Sequence, residues 1–192
     1  MPHAVLNHAF PADPSVTFYP AVAKELRAAG VDVSIPAMPN PVGTRPGPGT
    51  WGPALASAVT ATPADTVLAG HSVGGWNIFR FLEARNADAE PFAGVTVVAA
   101  PAYYIHYPDL FEFFAAPIEW DRVRTGARRF TIIQAADDQI LAPDGTGHGH
   151  RLRELLGAKL LVLPTGGHFA DFEGCVDLPQ LTQELLNQLR GS

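Results

Sequence analysis

Three residue types that together can move a proton and attack a carbonyl stand far apart in the chain. They are Ser72 within Gly70-His71-Ser72-Val73-Gly74, the pair Asp137 and Asp138, and His168 within Gly166-Gly167-His168-Phe169. A serine hydroxyl is a weak nucleophile at neutral pH and needs a base within hydrogen-bond reach. Histidine titrates near neutrality, so it can take that proton and return it to a leaving group, while a carboxylate fixes its tautomer and stabilises the imidazolium. The Gly-x-Ser-x-Gly pattern puts a serine on a sharp strand-to-helix turn, where its neighbours must be small. Each residue also has a plainer reading, as a turn serine, a solvated aspartate or a loop histidine. Three suitable types in the order Ser72, Asp138, His168 favour acyl transfer, because that chain order goes with a serine on such a turn. Asp137 is the alternative acid.

Positioning these groups is the work of the surrounding elements. Residues 65–69 read as a short buried strand, and the segment from Trp76 to Arg85 has no Gly or Pro. Trp76, Ile78, Phe79, Phe81 and Leu82 make that segment apolar nearly all round, which predicts a buried helix. Further strands are expected at 4–7, 31–35, 95–99, 130–134 and 159–163, the fourth-strand run 95–99 being continuous as in a central parallel strand. Helices are expected over 16–29, closed by Gly30, over about 54–59, over 150–156, and from Asp177 onward. In the last, Pro179 would lie in the first turn with Gln180 at the capping-box position. Between Pro36 and Pro53 lie six prolines and four glycines, which predicts an irregular surface excursion.

Six strands alternating with helices predict a single-domain α/β fold over residues 1–192, with a mostly parallel sheet and helices on both faces. Ligands then sit beyond the C-terminal ends of the strands. Ser72, Asp138 and His168 each follow a predicted strand, so all three should open onto one edge. Negative charge developing on a substrate oxygen needs backbone donors there. The N–H of Val73 is one candidate and that of Phe10 the other, since Pro11 has no N–H. The aromatic stretch from Pro101 to Trp120 is expected to cover the cleft, with Tyr103, Tyr104, Phe111 and Phe114 contacting an acyl or aryl group. Phe10 and His71 are expected to touch substrate as well.

Other features narrow the class. Net charge is −6 with no basic run, which argues against nucleic-acid or anionic-lipid partners. Apolar residues are 47% and charged ones 17%, a globular composition. Cys175 is the only cysteine, which excludes an intrachain disulfide and suggests a reducing compartment. The first residues lack a basic segment followed by an apolar run, and no stretch approaches the roughly 20 apolar residues of a membrane span. A cytoplasmic location is the resulting expectation. His148-Gly149-His150 has no third ligand at fixed spacing and reads as a flexible glycine-rich loop, so no metal is expected, and no cofactor either. Gly43 to Gly49 lacks the Gly-Lys-Ser/Thr ending of a phosphate loop. A serine rather than an aspartate at position 72 disfavours dehalogenase chemistry.

Several motifs together carry a family resemblance over essentially the whole length. Met38-Pro39-Asn40-Pro41, Trp51, Gly70-His71-Ser72-Val73-Gly74, Pro117-Ile118-Glu119-Trp120-Asp121, Ala136-Asp137-Asp138 and Gly167-His168-Phe169 resemble the retinoblastoma-binding protein 9 family of small serine hydrolases. The resemblance implies an α/β-hydrolase fold without a large cap domain and a Ser72–Asp138–His168 triad. It also implies esterase-like or amidase-like activity. Two departures stand out: one extra residue between Asp138 and Pro143, and His8-Ala9-Phe10 where the wider superfamily often has His-Gly. The expected function is hydrolysis of small-molecule carboxylic esters, or of thioesters or amides, through an acyl-enzyme on Ser72. The rival is a catalytically weak protein of the same fold that binds a partner through residues 103–120.

Overall fold

Strands β1 (His3–Asn7), β2 (Asp32–Ser34), β3 (Thr66–His71), β4 (Gly94–Val98), β5 (Phe130–Ala135) and β6 (Lys159–Leu163) form one sheet in the computed structural model. Residues 1–40 and 45–191 are described; Pro41 and Gly43, which belong to motifs named above, lie outside the described residues. Every pairing is parallel, in the order β2-β1-β3-β4-β5-β6. His3 stands opposite Thr66 and Asn7 opposite Gly70, so β1 and β3 end level with each other. The chain leaves β1 toward one edge and β3 toward the other. That reversal opens a crevice at the C-terminal ends of these two strands, where an open parallel sheet binds its ligands.

Parallel strands need crossover connections, and the helices that provide them cover both faces. On one face lie α2 (Pro48–Ala58), α3 (Val73–Glu83), α5 (Trp120–Thr125) and α6 (Gly145–Leu156). Trp51, Leu55, Ile78, Phe79, Leu82, Val123 and Leu152 pack there against Val95, Val97 and Ile132 of the sheet. On the other face α1 (Tyr19–Ala28) and α7 (Pro179–Arg190) bury Tyr19, Val22, Leu26, Leu181 and Leu185 against Leu6, Val67 and Ile133. Each fully buried aliphatic or aromatic side chain of this size contributes about 1.5–3 kcal/mol. Helix α1 ends as its glycine predicts. Gly30 takes φ +82, and Val31 N–H bonds back to Leu26 O at 3.0 Å.

Three local expectations need correction. The irregular excursion is shorter than the prolines suggest, because α2 already begins at Pro48. A proline in the first turn costs no hydrogen bond, and Trp51 anchors the turn: its ring is buried and its Nε1–H donates to Pro39 O at 2.9 Å. His148-Gly149-His150 is helical, within α6, and not a flexible loop. Asp144 caps that helix by accepting Gly147 N–H at 2.8 Å, and buried His148 accepts Ala102 N–H at Nδ1 at 2.9 Å. The capping box from Asp177 does not form. Helix α7 starts one residue later, with Leu178 as its N-cap, and burial of that leucine sets the entry.

The stretch after β4 forms a 3₁₀ turn at Pro108–Leu110 and the short helix α4 (Phe111–Phe114) before α5. Among the described residues no helix is long and apolar enough to cross a membrane.

Candidate active site

Ser72 joins β3 to α3 in a conformation that side chains rarely adopt, with φ +53 and ψ −123. Such a conformation costs about 1–3 kcal/mol and persists only where the surroundings enforce it. Here Ser72 N–H donates to Val98 O at 2.8 Å, and Gly75 N–H donates to Ser72 O at 2.9 Å. The flanking glycines are required by close approach. A β-carbon on Gly70 would lie 2.6 Å from Gly75 Cα, and one on Gly74 would lie 2.4 Å from Asn7 O and 2.6 Å from His8 O. The start of α3 therefore rests directly on the end of β1.

His168 arrives on the loop after β6 and meets both partners. Its Nε2 lies 2.9 Å from Ser72 Oγ and its Nδ1 lies 2.9 Å from Asp138 Oδ2. All three side chains are buried. Since the carboxylate only accepts, Nδ1 carries the hydrogen and Nε2 is free to accept from the serine hydroxyl. The other oxygen of Asp138 accepts the N–H groups of Ile140 at 2.9 Å and Leu141 at 3.1 Å, which aims Oδ2 at the imidazole. Asp137 has a different task. Its Oδ1 accepts Gly167 N–H at 2.8 Å and so braces the loop that carries His168. Glu173 does the same from the far side, its Oε2 accepting His168 N–H at 2.8 Å and Ala170 N–H at 3.0 Å. Sequence reasoning missed Glu173, whose only signal is a carboxylate five residues past the histidine.

The loop after β1 faces the serine. Asn77 on α3 donates to Asn7 Oδ1 at 2.7 Å, and Asn7 Nδ2 donates to His8 O at 3.1 Å. His8 Nε2 accepts Met38 N–H at 2.9 Å, so its Nδ1 carries the hydrogen, donated to Ala9 O at 2.7 Å. Burial, the main cause, lowers the pKa of His8, in keeping with this neutral tautomer. Ala9 is not among the positive-φ residues, so alanine is accommodated at this point of the loop. Phe10 N–H has no acceptor among the described residues, and Val73 is the first residue of α3, where the N–H has no partner within the helix.

Ser72 and His168 open onto a cavity of about 520 Å³. Phe10, Val16, Ile105, Tyr107, Leu110 and Ile140 supply apolar wall. Among the described residues no Lys or Arg lines it, whereas Asp13 and Asp171 do. Four expected contacts are absent from this wall: Tyr103, Tyr104, Phe111 and Phe114. Tyr103 stacks on His148 at 4.2 Å between ring centroids, Phe114 packs on Trp76 at 4.2 Å, and Tyr104 packs against Phe111 and Phe114. An aromatic run does not reveal which way each ring turns, and here most of them pack on one another, on α3 and on α6. His71 borders the cavity, but its ring is not free to hold a substrate. Nδ1 is 2.7 Å from Tyr19 OH and Nε2 is 2.7 Å from His168 O. Burial, with the neighbouring His168 adding to it, lowers the pKa of His71 to about 3.

No group of three metal-ligating side chains occurs among the described residues. The arrangement as a whole sets a serine of strained backbone, its hydroxyl within hydrogen-bond reach of a histidine, beside a largely apolar wall and two backbone N–H groups, which suits acyl chemistry.

The chain is similar to several known proteins. The candidate hydrolase YdeN of Bacillus subtilis (strain 168) is 28% identical over 173 residues, covering 90% of this chain and 88% of that protein. The crystal structure of the B. subtilis ydeN gene product matches with a TM-score of 0.88 at 26% identity, over 99% of this chain and 100% of that one. Est1E from Butyrivibrio proteoclasticus shares the fold, with a TM-score of 0.70 at 14% identity over 98% and 88% of the two chains. A family model described as serine hydrolase matches residues 19–187, from the start of α1 into α7, and the chain accordingly belongs to that family.

Proposed function

We propose that this serine hydrolase cleaves small carboxylic esters, with thioesters and amides as chemically related substrates, through an acyl-enzyme on Ser72. The observation that carries the reading is the unbroken contact from Ser72 Oγ through His168 to Asp138, at 2.9 Å on each side of the imidazole. As Ser72 Oγ attacks the carbonyl carbon, His168 Nε2 takes the hydroxyl proton and Asp138 stabilises the imidazolium. The N–H groups of Val73 and Phe10 receive the developing oxyanion. Collapse of the tetrahedral adduct breaks the bond to the leaving oxygen, which takes the proton from His168. Water then loses a proton to His168 and adds to the acyl carbon. The second adduct releases the acid and returns the proton to Ser72.

The cavity narrows the substrate class. Its apolar wall suits an acyl or aryl group, and with no Lys or Arg among the described lining a phosphate-bearing leaving group has no such cation to pair with. The resemblance to the retinoblastoma-binding protein 9 family supports the same chemistry. Cys175, the only cysteine in the sequence, suits a reducing compartment such as the cytoplasm.

The rival reading draws on the exposed rings of Tyr103 and Phe111, which could meet a partner protein. It gives no use to a strained serine bonded to a buried histidine. Treatment with a fluorophosphonate probe and mapping of the adduct separates the two. Labelling at Ser72 supports the hydrolase; an unlabelled Ser72 in folded protein supports the binding protein.

A further inference from the structure

Tyr19 and His71 lie behind the serine, and none of the steps above uses them. Their hydrogen bonds have only one consistent direction. His168 O is a carbonyl and can only accept, so His71 Nε2 carries the ring hydrogen and donates it at 2.7 Å. His71 Nδ1 is then a bare acceptor, and the Tyr19 hydroxyl donates to it at 2.7 Å. The Tyr19 oxygen in turn accepts Ala9 N–H at 2.9 Å. One directed chain thus runs from the loop after β1, through α1 and the last residue of β3, to the loop after β6. Every residue along it is buried.

We propose that Tyr19 and His71 are positioning residues that hold the Ala9–Phe10 loop and the His168 loop in one fixed relation across Ser72. This inference rests on the acyl-enzyme reading. The two ends of the chain are the two sides of the reacting carbonyl: Phe10 N–H must meet the oxyanion while His168 Nε2 meets the serine proton. His71 itself precedes Ser72 directly, so a single side chain refers both loops to the nucleophile. The rings of Phe18 and His168, with centroids 5.2 Å and 5.5 Å from that of His71, fix its plane. A neutral His71 also keeps a second positive charge away from His168 while the latter is an imidazolium, and the bond donated by Tyr19 favours that neutral form. Displacement of a catalytic group by about 1 Å can cost about 100-fold in rate.

Three variants separate the two links. His71→Asn places an amide oxygen near the position of Nδ1 and keeps the bond from Tyr19, but cannot reach the His168 carbonyl. His71→Gln places an amide nitrogen near the position of the ring Nε2 and keeps the bond to His168, but loses the acceptor for Tyr19. Tyr19→Phe removes the same link as His71→Gln and also frees Ala9. Steady-state kinetics on a p-nitrophenyl ester, with active sites titrated by a fluorophosphonate, should show kcat lowered about 10- to 100-fold in each variant and KM within about twofold. The double variant Tyr19→Phe/His71→Gln should cost no more than Tyr19→Phe alone, whereas Tyr19→Phe/His71→Asn, which breaks both links, should cost more. Wild-type kcat per titrated site in all three single variants overturns the proposal, as do losses that follow only a fall in Tm. Absence of Ser72 labelling in the wild-type protein is a separate outcome, which removes the hydrolase reading itself.

Discussion

Glu173 holds the backbone of His168 through a carboxylate that accepts both the His168 and Ala170 N–H groups. The side chain is exposed, so water can replace part of what it supplies. Glu173→Ala is expected to lower kcat on a p-nitrophenyl ester about 3- to 10-fold. Glu173→Gln retains one acceptor oxygen and should fall between that variant and the wild type. Equal activity in all three proteins would show that the loop needs no such brace.

The two neighbouring aspartates should separate cleanly. Ser72→Ala and His168→Ala are expected to lower kcat by about 10³–10⁶, by analogy with measured Ser-His-Asp enzymes. Asp138→Asn should cost about 10³–10⁴, because the amide favours the wrong imidazole tautomer. Asp137→Asn removes only a loop contact and should cost no more than about 10-fold. A larger loss at Asp137 than at Asp138 would reverse the assignment of the acid.

Gly74→Ala tests the seating of α3 on β1. Its new β-carbon would meet two backbone carbonyls, neither of which can swing aside. Urea unfolding should show a loss of about 1–3 kcal/mol, with lower activity because Phe10 follows the displaced residues. An unchanged midpoint would mean that the loop after β1 yields more easily than its hydrogen bonds imply.

Acid should destabilise the fold through its buried histidines. Burial lowers the pKa values of His3, His8 and His148, and most of all that of His71, to about 3. Between about pH 6.5 and that value the unfolded chain carries a proton on residue 71 that the folded one lacks. Stability contributed by neutral His71 is therefore complete above about pH 6.5 and lost as pH falls, at up to about 1.4 kcal/mol per pH unit for each such histidine. Urea midpoints measured from pH 7 to pH 4.5 should fall less steeply in His71→Gln than in the wild type. Parallel slopes would show that His71 takes up its proton in the folded state.

Charge around the cavity predicts selectivity. With Asp13 and Asp171 in the wall and no Lys or Arg among the described lining, a neutral ester should be turned over at least about 10-fold faster than an isosteric anionic one. The comparison is of kcat/KM, and the gap should narrow in Asp13→Asn/Asp171→Asn. A preference for the anionic ester would contradict the substrate class proposed here.

Much of this arrangement is legible in the sequence because its strongest signals lie where the chemistry does. Runs such as Val95-Thr96-Val97-Val98 and Phe130-Thr131-Ile132-Ile133 are too apolar to be anything but buried, and candidate residues fall just past the ends of β3, β5 and β6. Direction is what a run of residues does not encode. Tyr104 and Phe114 look like pocket residues, yet they pack on α4 and α3, while Ile105 and Tyr107 between and beside them face the cavity. His71 lines the cavity, but the bond its ring accepts from Tyr19 is a tertiary contact that its place beside Ser72 in the sequence does not reveal. Helix α2 hides behind prolines because the contact that stabilises it, Trp51 with Pro39, is tertiary.

Apart from His71, the last residue of β3, the cavity wall comes from connections and not from strands: the stretches after β1, β4 and β6 each lend several residues, and the turns after β3 and β5 lend Ser72 and Ile140. On the proposed reading, the wall that would choose the substrate is thus made of replaceable edges, while Ser72, Asp138 and His168 follow strand ends and are held by backbone hydrogen bonds. Exchanging Ile105, Tyr107 and Leu110 for other residues should therefore change which ester is preferred and leave the Ser72, Asp138 and His168 contacts in place.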